Sequence, residues 1–425
     1  MVQAQLRHFF STAGKITPNV TFQFKSIQYK KLYSFFGIHV SIATMNNITA
    51  SSISNANLAA QWADQERVPG FELLPVNMLA CPKDVKLVCE TTGAPATVQL
   101  ITPYLTLYFA TRPDAEIAWA GILHKIVPLL GPIRTAPAVI GSEEERQRRQ
   151  YTLEVSKRAL IDLTKNEAAN LLARGQYQLS IPGAQQSMAF IKDVHGDQSV
   201  ELVPAYLLLA EANLGLRRYK AAEEFLSLAN WSVLQNPECS NLIRSQLHRN
   251  FGKLYAGQGK HAEALKQLAH DVYFSSLEVG PEHVDTAAGY FHMANIFSSQ
   301  NRVENGLAFY DKVVDIWYKF LANVRSNAQD IDVLGEAQIA EAMDMLKNVW
   351  QIREKFLGNE HIATGESRFT LGLLYLFVGE TQSALGHISV ARAIYTEHLG
   401  EEHPSTQDVV SVLTQLSTMD VTQDS

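Results

Sequence analysis

The sequence predicts an all-α fold, a right-handed solenoid of stacked helical hairpins that follows a disordered N-terminal tail. Three observations support this prediction. A pattern of large, small and aromatic residues recurs in the second half of the chain, the loops between its copies are similar, and two of these loops, at Gly358 and Gly400, lie 42 residues apart. A period between about 20 and 50 residues is typical of repeat proteins, in which each unit buries its apolar face against its neighbours.

The composition is that of an ordinary soluble globular protein. The chain has 425 residues, of which 46% are hydrophobic and 19% are charged, as in most folded proteins. The three cysteines, Cys81, Cys89 and Cys239, include no CxxC pair, which argues against a disulfide framework and against a zinc site built from four cysteines. No run of about 18 apolar residues is present, so no membrane-spanning helix is predicted.

The N-terminal region differs in charge from the rest of the chain. Residues 1–63 contain Arg7 and four lysines but no Asp or Glu, whereas the whole chain carries a net charge of −7. The resulting acidic body argues against nucleic-acid binding, which needs a basic face. Residues 1–60 are predicted to be a disordered tail or a mispredicted extension, residues 61–83 an irregular linker and residues 416–425 a C-terminal tail. A mitochondrial transit peptide is the alternative for residues 1–60.

The repeat array is predicted over residues 142–415, as five to six helical hairpins with one copy truncated near residues 324–338. In the clearest copy Gly252 and Tyr255 belong to the first helix and Ala264 to the second. Gly252 and Ala264 are small enough to let the two helices touch, as the tetratricopeptide pattern requires. The same frame recurs in three other groups of residues: Ala210, Ala222 and Leu226; Ala294, Gly306 and Tyr310; Gly372, Ala384 and Ile388.

The loops that join the repeats share the pattern Gly-x-Glu-His, which ends at His283, His361 and His403. These loops resemble those of kinesin-light-chain-type tetratricopeptide units. A metal site built from the three histidines is not expected, because equivalent positions lie one repeat apart along a solenoid. Capping of the following helix is the preferred interpretation.

A second motif is suggested within residues 84–130. Cys89, Trp119 and His124 follow the frame of a MYND zinc finger, which they resemble. The other positions that should hold zinc ligands carry Thr92, Leu100, Pro103, Phe109 and Val127. Two ligands cannot close a tetrahedral zinc site, so a small degenerate finger-like segment is predicted, with Cys89 and His124 as remnants and with no metal or cofactor. An unrelated apolar segment is the alternative interpretation.

Segments 129–135, 142–147, 199–212, 247–250 and 289–297 resemble a family of ciliary proteins in which a MYND finger precedes tetratricopeptide repeats. This resemblance implies a place in the cytoplasm and axoneme of motile cilia and flagella, with inner dynein arm components and another tetratricopeptide protein as partners. The alternative is a general adaptor for cargo or assembly, similar to kinesin light chain, in the mitochondrion if the N-terminal tail is a transit peptide.

The first helices of stacked hairpins line a concave face that can hold a protein partner. The predicted partner-binding residues on this face are Arg249, Lys253, Phe291, Asn295 and Phe369. Arg249 and Lys253 are expected to form a basic spot beside Phe291, suited to an acidic-aromatic partner segment. Charge reversal at both positions is therefore expected to spare the fold. A solvated helix face without a binding role is the alternative.

Enzyme motifs are absent from the sequence. It contains no GxxxxGK[ST], no GxSxG, no HExxH and no dinucleotide-binding fingerprint, the patterns that carry phosphate, acyl-transfer, zinc-protease and cofactor chemistry. The segment Gly257–His261 looks like a phosphate loop but is interpreted as the turn of a repeat. The sequence therefore predicts a non-enzymatic scaffold that binds proteins, with neither nucleic acid nor membrane as a partner.

Overall fold

The computed structural model describes residues 71–77, 86–134, 142–326 and 334–421. The predictions for residues 1–60, and for most of the linker, lie outside these residues. The chain divides into two compact units. The sheet unit contains the described residues up to Ala168 together with Gln178–Gly196, and the repeat unit contains Ala169–Tyr177 and the residues from Asp197 onward.

The sheet unit contains three short antiparallel strands in the order β1-β2-β3, which the all-α prediction did not include. They are β1 (Glu72–Pro75), β2 (Val98–Ile101) and β3 (Thr106–Phe109). Alternate side chains on β2 and β3, those of Leu100, Leu107 and Phe109, are fully buried, as expected for strands with one face on a core.

Helices follow the sheet. Helix α1 (Arg112–Ala118) continues through a π-helical turn (Trp119–Leu123) into α2 (His124–Arg134). Arg134 at the end of α2 donates two hydrogen bonds, of 2.7 and 2.9 Å, to the carboxylate of Glu90. Two longer helices, α3 (Glu143–Ala173) and α4 (Tyr177–His195), come next. Parts of both belong to the sheet unit.

The repeat unit is an array of helical hairpins, which confirms the fold predicted for this region. Its hairpins pair α5 with α6, α7 with α8, α9 with α10 and α12 with α13, and neighbouring hairpins pack against one another. The helices are α5 (Leu202–Gly215), α6 (Tyr219–Gln235), α7 (Asn241–Gly257), α8 (His261–Glu278), α9 (Val284–Ser299), α10 (Val303–Ser326), α11 (Glu336–Leu357), α12 (Ile362–Val378), α13 (Thr381–Leu399) and α14 (Pro404–Val421).

Helix α11 interrupts the regular alternation of first and second helices in the array. Its neighbour α12 packs directly against α10 as well as against α11, so α11 is a second helix whose own first helix is missing from the described residues. The truncation predicted near residues 324–338 stays a prediction, because residues 327–333 lie outside the described part of the chain. Arg353 joins the three helices, because its buried guanidinium donates to Asp311 on α10 and to Ser367 on α12.

The loops between hairpins adopt the conformation that their glycines require. At Gly358 and Gly400, φ is 95° and 85°, a region that favours glycine over any residue with a Cβ. The histidines that follow cap the next helix. Nδ1 of His283, His361 and His403 accepts a backbone N–H two residues further on, at 3.2, 3.1 and 3.2 Å. The capping interpretation of these histidines is therefore confirmed.

Candidate partner-binding surface

The first helices of the hairpins bring several of the predicted groove residues together. We call Glu211 on α5, Arg249 and Lys253 on α7, and Asp271 on α8 the charge cluster. Nε of Arg249 lies 2.9 Å from Oδ2 of Asp271, whose side chain is fully buried, while the Arg249 side chain is 13% exposed. Arg249 also donates through Nη2 to the carbonyl oxygen of Asp285, at 2.8 Å.

The second half of the charge cluster is the ion pair between Lys253 and Glu211, with Nζ and Oε1 2.6 Å apart. Burial alone would lower the pKa of Lys253, but the carboxylates of Glu211 and Glu341 outweigh it and raise that pKa above its usual range. Burial would likewise raise the pKa of Glu211, and Lys253 lowers it below the usual range. Both groups are therefore charged at neutral pH, and they link α5 to α7.

The two cations also affect a neighbouring histidine on α9. Burial lowers the pKa of His292, and the charges of Lys253 and Arg249 lower it further, to well below its usual value. His292 is therefore neutral at neutral pH. A neutral imidazole can both donate and accept a hydrogen bond.

In the structure the predicted basic spot at Arg249 and Lys253 lies beside carboxylates of the same chain. Both cations are held by carboxylates, because Asp271 comes from the paired second helix and Glu211 from the preceding hairpin. Glu341 on α11 is a third acid close enough to raise the pKa of both Arg249 and Lys253. A partner with acidic side chains would therefore have to compete with acids of this chain.

The other predicted groove residues, Phe291, Asn295 and Phe369, do not belong to the charge cluster. Phe291 is half-buried, with its ring centroid 6.2 Å from that of Tyr310. Asn295 accepts a hydrogen bond from the hydroxyl of Tyr310 at 2.6 Å. Phe369 is only 3% exposed and packs against Tyr318 and Tyr395 in the core of the array. Phe369 therefore contributes to the core and not to an open surface.

A cavity of about 350 Å³ lies beside the charge cluster, between α7 and α9. Its lining combines small and apolar residues with polar ones: Gly252, Ala256, Leu268, Ile296, Lys253, His261, His292, Asn295 and Ser299. Nδ1 of His261 is buried and has no hydrogen-bond partner in the described part of the chain. The sequence did not indicate a binding role for His261 or Ser299, because the two residues belong to different hairpins. His261 begins α8 and Ser299 ends α9.

The two finger remnants are held by local contacts. Sγ of Cys89 lies 3.2 Å from Oγ1 of Thr91; burial would raise the pKa of Cys89, but hydrogen bonds to Thr91 and Thr92 lower it. Nδ1 of His124 is 2.7 Å from the carbonyl oxygen of Trp119, and burial lowers the pKa of His124. Among the described residues no group of three or more His, Cys, Asp or Glu side chains could hold a metal ion.

Comparisons with known proteins give two kinds of similarity, and no family model matches the chain. The "Clustered mitochondria protein homolog" of Xenopus tropicalis is 26% identical over 157 residues, which are 35% of this chain and 12% of that protein. The human protein of the same name is 22% identical over 166 residues, 38% of this chain and 13% of that protein. The chain thus spans about one eighth of the length of these curated relatives.

Two solved structures are similar to part of the chain. Both are crystal structures of putative kinesin light chain nearly identical TPR-like repeats from Podosopora anserina, one of them a single-residue variant. The variant is 19% identical, covers 56% of this chain and 95% of that chain, and superposes with a TM-score of 0.30. The other is 21% identical, covers 46% and 96%, and has a TM-score of 0.26. Within the part of the chain that the structure describes, none of the helices could cross a membrane.

Proposed function

We propose that this chain is a scaffold that binds another protein, and that the cavity between α7 and α9 receives an apolar side chain of that partner. The observation that carries this proposal is the cavity itself, whose lining combines apolar and polar residues from α7, α8 and α9 of two adjacent hairpins. Cavities of about 300 to 1,000 Å³ with a few polar groups are typical of binding sites. Stacked hairpins commonly present such surfaces to partner segments.

The polar lining residues of the cavity can supply contacts to the backbone of a bound segment. His292 is neutral, and Asn295 uses its carbonyl oxygen to accept from Tyr310, so the amide group of this lining residue can act as a donor. His261 adds a ring nitrogen that lacks a partner among the described residues. These groups suit a peptide, because a peptide backbone offers both donors and acceptors.

The cellular role that we propose first is that of a general adaptor. Similarity to proteins named for clustered mitochondria supports an adaptor outside the axoneme, in the cytoplasm or at mitochondria. A second candidate is an axonemal protein associated with inner dynein arms and with another tetratricopeptide protein. That candidate is supported by the resemblance of segments such as 199–212 and 289–297 to the ciliary family. The degenerate finger remains part of this second proposal.

A cavity-filling variant tests the proposed binding site. Ala256→Leu places a larger side chain in the cavity, whereas Ala262→Leu adds the same atoms at an exposed position of α8. Each protein is expressed in ciliated and in non-ciliated cells, crosslinked, purified and analysed by mass spectrometry. We expect partners recovered with the unmodified chain and with Ala262→Leu to be lost with Ala256→Leu at equal thermal stability. Equal recovery by all three would show that the cavity is not the site.

The same experiment separates the two cellular roles. Recovery of inner dynein arm proteins from isolated axonemes, with crosslinks to the repeat unit, would support the axonemal role. Recovery of the same cavity-dependent partners from cells without cilia would support the general adaptor instead. Fractionation of mitochondria from the same cells tests whether residues 1–60 act as a transit peptide.

A further inference from the structure

Large apolar side chains are exposed on two neighbouring second helices, α6 and α8. Of the eleven such side chains that are exposed in the described residues, five lie on these two helices. The exposed fractions are 48% for Leu228, 64% for Trp231 and 67% for Leu234 on α6, and 57% for both Tyr273 and Leu277 on α8. We call these five residues the outer patch. A concentration of exposed apolar side chains indicates an interaction surface, whereas scattered ones do not.

One side chain connects the ends of the two helices. Nη2 of Arg244 on α7 donates a hydrogen bond to the carbonyl oxygen of Pro237, the second residue after α6. Cζ of Arg244 lies 5.9 Å from the centroid of the Phe274 ring on α8, and that centroid is 5.3 Å from the centroid of the Tyr273 ring. The C-terminal ends of α6 and α8 therefore belong to one surface, and two hairpins share the outer patch.

The exposed rows of side chains on the two helices occupy equivalent positions of the repeat. Helix α6 begins at Tyr219 and α8 at His261, 42 residues later, so residues 42 positions apart lie at the same height along the two helices. Both rows are spaced by four, three and four residues, which places each row on one helix face. The equivalent exposed pairs, with the residue of α6 first, are Glu224 and Lys266, Leu228 and His270, Trp231 and Tyr273, and Gln235 and Leu277.

The two rows begin with opposite charges. Glu224 on α6 and Lys266 on α8 are both exposed, and neither has an ion-pair partner among the described residues. Two such rows are complementary to each other when they meet face to face, because the acid of one then lies opposite the base of the other and the two aromatic residues lie opposite each other.

We propose that the outer patch is the interface of a homodimer, in which α6 of one copy packs on α8 of a second copy in the same direction. This inference goes beyond the proposed function, because none of the five residues lines the cavity between α7 and α9. A two-fold axis parallel to the helices makes the interface self-complementary, since every contact then occurs twice. Trp231 meets Tyr273 of the second copy, and Glu224 meets Lys266 of the second copy.

The size of the outer patch fits the centre of a dimer interface. Fully burying an aromatic side chain removes about 150 to 250 Å² from water, so Trp231 and Tyr273 offer roughly 250 Å² at their exposed fractions. The three leucines add roughly 150 Å². Together these side chains supply about half of the roughly 800 Å² that each partner of a stable interface buries. The flanking polar residues supply the remainder, because interfaces combine an apolar centre with a polar edge.

The mass of the full chain in solution tests the inference. Sedimentation velocity is measured over a hundredfold range of protein concentration, and we expect a shift from the chain mass of 47.3 kDa towards twice that mass as the concentration rises. Trp231→Ala should raise the dissociation constant of the dimer by about tenfold or more, because it removes a central aromatic anchor. The matched control is Tyr151→Ala on α3, where the aromatic side chain is 71% exposed.

Two results of this measurement would overturn the inference. One is an unmodified chain that stays monomeric at every concentration, and the other is a dimer that Trp231→Ala leaves unchanged. Because Trp231 is exposed, the variant should keep its fold, and circular dichroism of each protein checks this.

Charge reversal tests the pairing of α6 with α8. Glu224→Lys places lysines opposite each other across the interface, and Lys266→Glu places carboxylates opposite each other, so each variant should dimerise about tenfold more weakly than the unmodified chain. An equal mixture of the two variants should recover dimers, because every lysine then meets a glutamate. Glu304→Lys makes the same change of charge at an exposed position of α10 and is the control. A mixture that dimerises no better than either variant alone would overturn the inference.

Other occupants of the outer patch would give different results. If another segment of the same chain covered the patch, the protein would be a monomer in which acrylamide does not quench the fluorescence of Trp231, measured as the difference from Trp231→Ala. If the patch served a different protein, the purified chain would be a monomer in which acrylamide quenches that fluorescence. Either result would overturn the inference.

Discussion

The Cβ atom that Gly252 lacks would lie 2.7 Å from Cγ of Leu268 on the paired helix. This close approach of α7 and α8 has a counterpart in α12 and α13, where an added Cβ on Gly372 would lie 2.5 Å from Cγ1 of Ile388. In both hairpins the large residue comes 16 positions after the glycine. The repeat register is therefore set by side-chain size at the helix crossings.

The first prediction concerns this crossing. Gly252→Leu should reduce the free energy of unfolding by about 1 to 3 kcal/mol, because the larger side chain forces the two helices apart. The matched control is Gly386→Leu on α13, where an added Cβ meets no atom within 4 Å and the gain in helix propensity should keep or raise stability. Urea unfolding measures both. Equal midpoints for the two variants would show that the assigned register is wrong.

The repeat register could be predicted from sequence because it depends on residues within one hairpin, such as Gly252 and Ala264. The three strands could not, because each is four residues long and so short a segment carries almost no period. The pairing of Arg249 was missed for a different reason. Its partner Asp271 lies on the second helix, 22 positions away, and the sequence pattern of the first helix alone does not show which charges face it.

The second prediction concerns the ion pair of Arg249 with Asp271. Arg249→Ala should cost about 3 to 5 kcal/mol, because it leaves a fully buried carboxylate without its cation. The control is Arg112→Ala, since the pair of Arg112 with Glu116 is 73% and 50% exposed and should contribute little. From the sequence, charge reversal at residues 249 and 253 was expected to spare the fold. Because both residues are paired with carboxylates, we now expect this reversal to destabilise the fold. An unchanged urea midpoint for Arg249→Ala would contradict this.

The third prediction concerns the histidine caps. His361→Ala should destabilise the array by about 1 kcal/mol, because the backbone N–H of Ala363 loses the acceptor that caps α12. His361→Asn should retain most of the stability, since asparagine is a favourable N-cap residue. Thermal unfolding of the two variants, compared with the unmodified protein, measures the difference. Identical melting of the Ala and Asn variants would mean that the cap contributes nothing.

The fourth prediction concerns zinc. The purified chain should contain less than one zinc per molecule, because the hydrogen bonds of Cys89 and His124 are made to Thr91 and Trp119 and two ligands cannot close a structural site. Elemental analysis after dialysis without chelator measures the metal directly. Stoichiometric zinc that is lost together with Cys89→Ser would restore the finger as a metal site.

The fifth prediction concerns pH and rests on His292. Its folded pKa is depressed well below the ordinary value of 6.5 by burial and by Lys253 and Arg249. Between the depressed pKa and 6.5, the unfolded chain binds a proton at this histidine and the folded chain does not. The free energy of unfolding should therefore fall as the pH falls below 6.5, by at most about 1.4 kcal/mol per pH unit for one group.

His292→Gln removes this titration and keeps a polar side chain at the cavity. Other histidines with lowered pKa values, such as His248 and His387, are present in both proteins. The difference between the two proteins therefore isolates the effect of His292. Urea unfolding at pH 7.5 and at pH 5.5 gives the loss of stability on acidification for each protein. The loss should be smaller in His292→Gln than in the unmodified chain. Carboxylates with lowered pKa values, such as Glu211, change their protonation mainly below their ordinary value of 4.5. They therefore contribute little to the change in stability between pH 7.5 and pH 5.5. An equal loss in both proteins would mean that His292 is protonated as easily in the folded chain as in the unfolded one, and that the two cations do not act on it.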